Sequence, residues 1–176
     1  MASGKLDIQR IINLIENRDF EEALDAANRY VKKDKKNEVL LNIISIIYRR
    51  LGYFEKAELW ADKAIGLKGD FWAALNNKAN IYHEKGDVES SLDLFRSLID
   101  RNPSYVEARA NYALALKSSG DYLGALTEYQ KIQEIKVYDL GIFHIAITLL
   151  SLGLFREGWE KHEYRWKVDP LNKAEW

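Results

Sequence analysis

The sequence predicts an all-α chain assembled from tandem helix–turn–helix units, and three observations carry that expectation. Gly52, Gly86, Gly120 and Gly153 recur 34, 34 and 33 residues apart, each inside a short polar or aromatic turn. Between these turns the apolar residues follow the three-and-four spacing of one helix face. No segment shows the two-residue alternation and hairpin turn chemistry of a strand. A fixed period of this length is the mark of a repeat architecture, in which each unit buries its apolar face on its neighbours.

The text around the glycines repeats. It reads Leu51-Gly52-Tyr53-Phe54-Glu55-Lys56-Ala57, then Lys85-Gly86-Asp87-Val88-Glu89-Ser90-Ser91, then Ser119-Gly120-Asp121-Tyr122-Leu123-Gly124-Ala125, then Leu152-Gly153-Leu154-Phe155-Arg156-Glu157-Gly158. An earlier copy, Asn17-Arg18-Asp19-Phe20-Glu21-Glu22-Ala23, lacks the glycine and reads as one residue short. The units fall at about 5–37, 38–71, 72–105, 106–138 and 139–172, with the start of a further helix or a linker at 173–176.

Each unit divides into two helices. The first helices carry a buried stripe: Ile8, Ile11, Ile12 and Ile15; Leu41, Ile44, Ser45 and Tyr48; Leu75, Ala79 and Tyr82; Ala113 and Leu116; Ile142, Ile145, Ala146 and Leu149. The second helices open with acidic or polar residues such as Glu21-Glu22 and Glu89-Ser90, which suits the positive end of a helix dipole. They then place small residues (Ala23, Ala57, Ala64, Ser91, Ala125) where two helices must approach closely. Pro103 and Pro170 fall after the second helix, where proline ends it.

This pattern resembles the tetratricopeptide repeat over nearly the whole chain. The resemblance rests on the glycine turns, the alanine that follows Gly52 and Gly120, the pair Ala57 and Ala64, and Pro103 and Pro170 at unit ends. It implies a right-handed solenoid of about five units. Leu98 and Ile132 replace the second small residue, Val137 replaces the proline, and Gly158 replaces the first alanine of the fifth unit.

Composition narrows the function. Lys plus Arg total 26 and Asp plus Glu 27, a net charge of −1, so neither a polybasic nucleic-acid binder nor an anionic-membrane binder is expected. There is no cysteine, which removes disulfides, thiolate metal sites and thiol nucleophiles. At 47% hydrophobic the chain is expected to fold. No apolar stretch is long enough to span a bilayer, and no secretory signal is visible, so a cytoplasmic protein is expected. His83, His144 and His162 lie in three different units without ligand spacing, so no metal is expected. No phosphate-binding loop or nucleophile–base pair is visible, and the chain is expected to be no enzyme and to carry no cofactor. The run Lys32-Lys33-Asp34-Lys35-Lys36 ends a helix, where cations suit the dipole; a contact with nucleic acid or an acidic partner is the other reading.

What remains is a surface. Stacked first helices would line a concave groove, with Gln9, Asn42, Asn76 and Phe143 in one row. Asn13, Asn80 and Ile147 stand one turn on, followed by Arg49, His83, Lys117 and Leu150. Asn77 and Asn111 lie nearer the helix–helix seam. The first half of the groove is rich in amides, each able to donate and accept at once, and the second half is apolar. The expected function is a non-catalytic scaffold that clamps a protein or extended peptide; self-association is a further expectation. The family that this chain resembles has a variant groove, a carboxylate clamp for acidic chaperone tails. Asn80 and Asn111 match its asparagines, but Asn76, Leu140 and His144 stand where it wants cations, so that variant is not expected.

The last unit reads Gly158-Trp159-Glu160-Lys161-His162-Glu163-Tyr164-Arg165-Trp166, with Trp159, His162 and Trp166 on one face. This wording resembles the final repeat of bacterial arrays that precede sugar-transferring domains. The alternative function is therefore a module of a larger bacterial protein such as a glycosyltransferase, presenting substrate or regulating the catalytic domain. The chain is accordingly expected to be a fragment with apolar surface at its C-terminal end.

Overall fold

The computed structural model describes residues 2–135 and 139–163, and it is all-helical as expected. Ten α-helices fall among the described residues: α1 (Ala2–Glu16), α2 (Phe20–Val31), α3 (Glu38–Arg50), α4 (Phe54–Leu67), α5 (Trp72–Lys85), α6 (Val88–Arg101), α7 (Val106–Ser118), α8 (Tyr122–Ile135), α9 (Asp139–Ser151) and α10 (Phe155–His162). Val137, Trp166, Pro170 and the expected boundary at 169–176 lie outside the described residues. Contacts divide the chain into two compact units, one ending at Asp87 and the other beginning at Val88.

In the first unit each helix packs on the next in sequence, and α3 also meets α5. Its core gathers Ile11, Ala23, Ala27, Leu40, Ile43, Ile44 and Ile47, flanked by Ile8, Ile15 and Phe20. Ala57 and Ala64 are fully buried on α4, as the small-residue pattern predicts, and so is Ala61 between them. The absence of side-chain bulk lets α3 and α4 approach until Ser45 Oγ donates to the Ala57 carbonyl at 2.6 Å. The Asn37 side chain starts α3 by accepting the Leu40 N–H at 3.0 Å.

In the second unit α6 through α10 also pack in sequence. Ala113, Leu116, Ala125, Tyr129, Ile132, Ile145 and Leu149 form its core. Leu98 and Ile132, the departures from the small-residue pattern, are simply buried. Gly158 has a steric reason: a Cβ there would fall 2.7 Å from Leu150 Cδ2 and 3.1 Å from the Leu150 backbone nitrogen. Helix α10 therefore lies closer to α9 than an alanine would allow.

One hydrogen-bond motif ends the first helix of every pair. The residue after the glycine donates across six residues, as Tyr53 N–H to Tyr48 C=O at 2.9 Å, while Gly52 N–H reaches Arg49 C=O at 3.0 Å. Asp87, Asp121 and Leu154 repeat the long bond to Tyr82, Leu116 and Leu149. The motif needs a left-handed residue, and the four glycines have φ between 77° and 92°. The first copy is not a residue short: Asp19 bonds to Leu14 in the same way, and Arg18 occupies the glycine's place at φ 66°. A Cβ in that conformation costs about 1–2 kcal/mol, and glycine's extra unfolded-state freedom returns part of it. Arg18→Gly is therefore expected to stabilise the protein by about 0.5–1 kcal/mol, raising its melting temperature by about 1–4 °C. A melting temperature at or below that of the parent chain would count against strain at this turn.

Candidate functional site

The α3–α5 contact of the first unit is built from polar side chains. Asn77, on α5 and only 4% exposed, is the hub. Its amide nitrogen donates to Asn42 Oδ1 at 3.2 Å and to Ser45 Oγ at 2.8 Å, both on α3. Its carbonyl oxygen accepts from Arg49 Nε at 3.0 Å. Arg49 also pairs with Glu84 at the far end of α5. Every group of the Asn77 amide is therefore committed, and the chain of bonds runs on through Ser45 to the α4 backbone. Burial lowers the Arg49 pKa from its usual value; Glu84 opposes that effect and Arg50 adds to it.

These bonds sort the expected groove residues. Asn42 is buried, 6% exposed, and its oxygen is engaged by Asn77, so it does not stand open in a solvated groove as expected. The reason is the closeness of α3 and α5, which draws the Asn42 amide into their seam. Arg49 is likewise tied into the network rather than extended into solvent. Asn76, Asn80 and His83 are half-buried on α5. Asn80 has no hydrogen-bond partner among the described residues, which leaves a complete amide at this face. Gln9 and Asn13 are exposed on α1, where Gln9 donates to Asn13 Oδ1 at 3.0 Å. Asn77 and Glu84 are the residues that sequence reasoning undervalued.

In the second unit, Asn111 is half-buried on α7. Lys117 is half-buried near His144, whose pKa is lowered first by burial and then by the Lys117 charge. The His144 ring stacks on Tyr129 with centroids 5.1 Å apart and planes 5° from parallel. Phe143 lies 5.6 Å from the His162 ring, which meets Trp159 edge-on at 5.1 Å. Phe143 and Ile147 are half-buried on α9, whereas Leu150 is turned against Gly158 of α10. Trp159 remains 57% exposed and Phe155 63% exposed. Among the described residues no cluster of three or more His, Asp or Glu side chains could hold a metal ion. No described helix is long and apolar enough to cross a membrane.

Two family models, each described as tetratricopeptide repeat, match residues 40–71 and 76–136, together more than half of the chain. No significantly similar sequence is found among curated proteins. The solved structures similar to this chain include a thermophilic tetratricopeptide-repeat protein of Thermus thermophilus, with TM-score 0.83, 15% identity, and 94% of this chain and 91% of that one covered. A tetratricopeptide-repeat protein of Parabacteroides merdae is similar with TM-score 0.70 and 22% identity, covering 97% and 68%. MamA from Desulfovibrio magneticus is similar with TM-score 0.67 and 17% identity, covering 97% and 96%. At these identities the likeness is one of fold.

Proposed function

The chain belongs to the tetratricopeptide-repeat family, and from that premise we propose that it is a non-catalytic interaction scaffold whose α3–α5 face binds an extended peptide. The observation that carries this reading is the division of labour among the amides. Asn77, Asn42 and Arg49 hold α3 and α5 in one arrangement, while the neighbouring Asn80 amide keeps its donors and acceptor uncommitted to the described residues. An amide on a rigid helix can pair with a peptide N–H and C=O without reading side chains, and prior ordering lowers the cost of binding. His83, half-buried one turn further along α5, would flank the bound chain. The half-buried Phe143 and Ile147 of the second unit offer a separate apolar contact for partner side chains.

Partners recovered by pull-down with the intact chain and mapped to peptides provide the probes. Asn80→Ala removes hydrogen bonds worth about 0.5–1.5 kcal/mol each, so affinity should fall about two- to tenfold. The melting temperature should hold, because alanine is the better helix former and no internal bond is lost. If affinity for every mapped peptide is unchanged while substitutions on α2 or α4 abolish it, the α3–α5 reading is wrong.

A further inference from the structure

A second feature of the first unit shares no residue with that polar cluster. Between the end of α2 and α4 lies a cavity of about 440 Å³. Val31, Leu41, Trp60 and Leu67 make its apolar surface, and Lys32, Lys35 and Lys63 stand around it. Two of these lysines come from the basic run at the end of α2. None of the three has a carboxylate partner among the described residues, and the Lys63 ammonium instead lies 4.1 Å from the centroid of the Trp60 ring.

The repeat supplies an internal control. Two periods further along the chain, the places of Leu41, Trp60 and Lys63 are taken by Arg109, Glu128 and Lys131. There Glu128 pairs with Arg109 and also with Lys131, the latter at 2.8 Å. The second unit thus fills these positions with its own carboxylate and neutralises its own lysine. The first unit keeps the lysine, replaces the carboxylate by an indole, and leaves an open apolar hollow beside it. Repeat packing does not require this arrangement, since the second unit does without it.

We propose that the hollow is a docking pocket for an acidic peptide segment carrying one large apolar side chain. The apolar side chain enters between Leu41, Trp60 and Leu67, and flanking carboxylates of the partner meet Lys32, Lys35 and Lys63. The partner supplies in trans the negative charge that Glu128 supplies internally in the second unit. Mostly apolar walls with a few convergent polar groups are the usual build of a binding pocket, and rim lysines favour acidic over neutral or basic segments.

The test is selection of a random displayed peptide library on the full chain, followed by anisotropy titrations of the enriched peptides. Enriched sequences should share a leucine or aromatic residue next to acidic residues. A Lys35→Glu/Lys63→Glu double variant should weaken them about tenfold or more, with an unchanged circular dichroism spectrum. Leu67→Ser, at a position already 45% exposed, should also weaken binding. Asn80→Ala should leave it unaltered, which separates this site from the α3–α5 face. Enriched peptides without acidic residues, or equal affinity for the charge-reversed variant, would overturn the proposal. So would lysine-dependent binding of phosphatidylglycerol vesicles or a DNA duplex tighter than that of the peptides.

Discussion

Glu128→Ala is expected to be the most damaging single substitution among the polar residues, costing about 3–5 kcal/mol. Arg109 and Glu128 have side chains only 8% and 11% exposed and pair directly between α7 and α8. Arg109 also donates from its second terminal nitrogen to the Pro103 carbonyl at 2.9 Å, fixing the turn between α6 and α7. Its Nε is the one fully enclosed side-chain atom without a hydrogen-bond partner among the described residues. Removing the carboxylate would strand a buried guanidinium that is already incompletely satisfied, because arginine cannot shed its proton to escape. For a chain of this length the melting temperature should drop by about 6–20 °C. The double variant Arg109→Met/Glu128→Leu should recover most of the loss, since the corresponding Leu41 and Trp60 positions of the first unit are apolar. If the single variant melts like the parent chain, water reaches Arg109 and the pair is not a buried one in solution.

This pair also shows where reading the sequence stopped. The glycine period placed four of the five turns and the repeated text around it placed the first, while helical spacing identified Ile44, Ala79, Leu116 and Leu149 as inward-facing, because backbone geometry and burial leave a periodic trace. Ion pairing between α7 and α8 leaves none. Arg109 and Glu128 stand nineteen residues apart, and nothing local distinguishes them from solvated charges. The amides were legible as a group and not one by one. Asn42, Asn76 and Asn80 fall on the same helical faces in the text, yet whether an amide opens outward or is drawn into a seam depends on the approach of α3 to α5. Arg18 was misjudged for a different reason: a left-handed arginine is uncommon enough that the missing glycine suggested a deletion rather than a strained residue. The basic run holding Lys32 and Lys35 was legible, but its convergence with Lys63 around Trp60 depends on how α2 and α4 meet, which leaves no local trace.

Asn77→Leu tests whether the buried amide network organises the proposed peptide face. The substitution keeps the branched shape of the side chain, adds some bulk and removes the hub. Arg49 Nε loses its acceptor and Asn42 Oδ1 its donor, while Ser45 retains the Ala57 carbonyl. Two partly enclosed polar groups left without partners cost about 1–3 kcal/mol each, so a loss of about 2–4 kcal/mol is expected after the gain from burying leucine. A urea titration followed by far-ultraviolet circular dichroism should show the midpoint fall with little change in slope. Stability alone does not decide the functional question, since any buried amide could matter to folding. The deciding measurement is affinity for the mapped peptides well below the unfolding transition, where the variant is fully folded. If the network pre-orders α3 and α5 around Asn80, affinity should fall at least as far as in Asn80→Ala, and combining the two substitutions should weaken binding by less than the product of their separate effects. Full affinity in a destabilised Asn77→Leu chain would assign the network to folding alone and leave Asn80 to act without it.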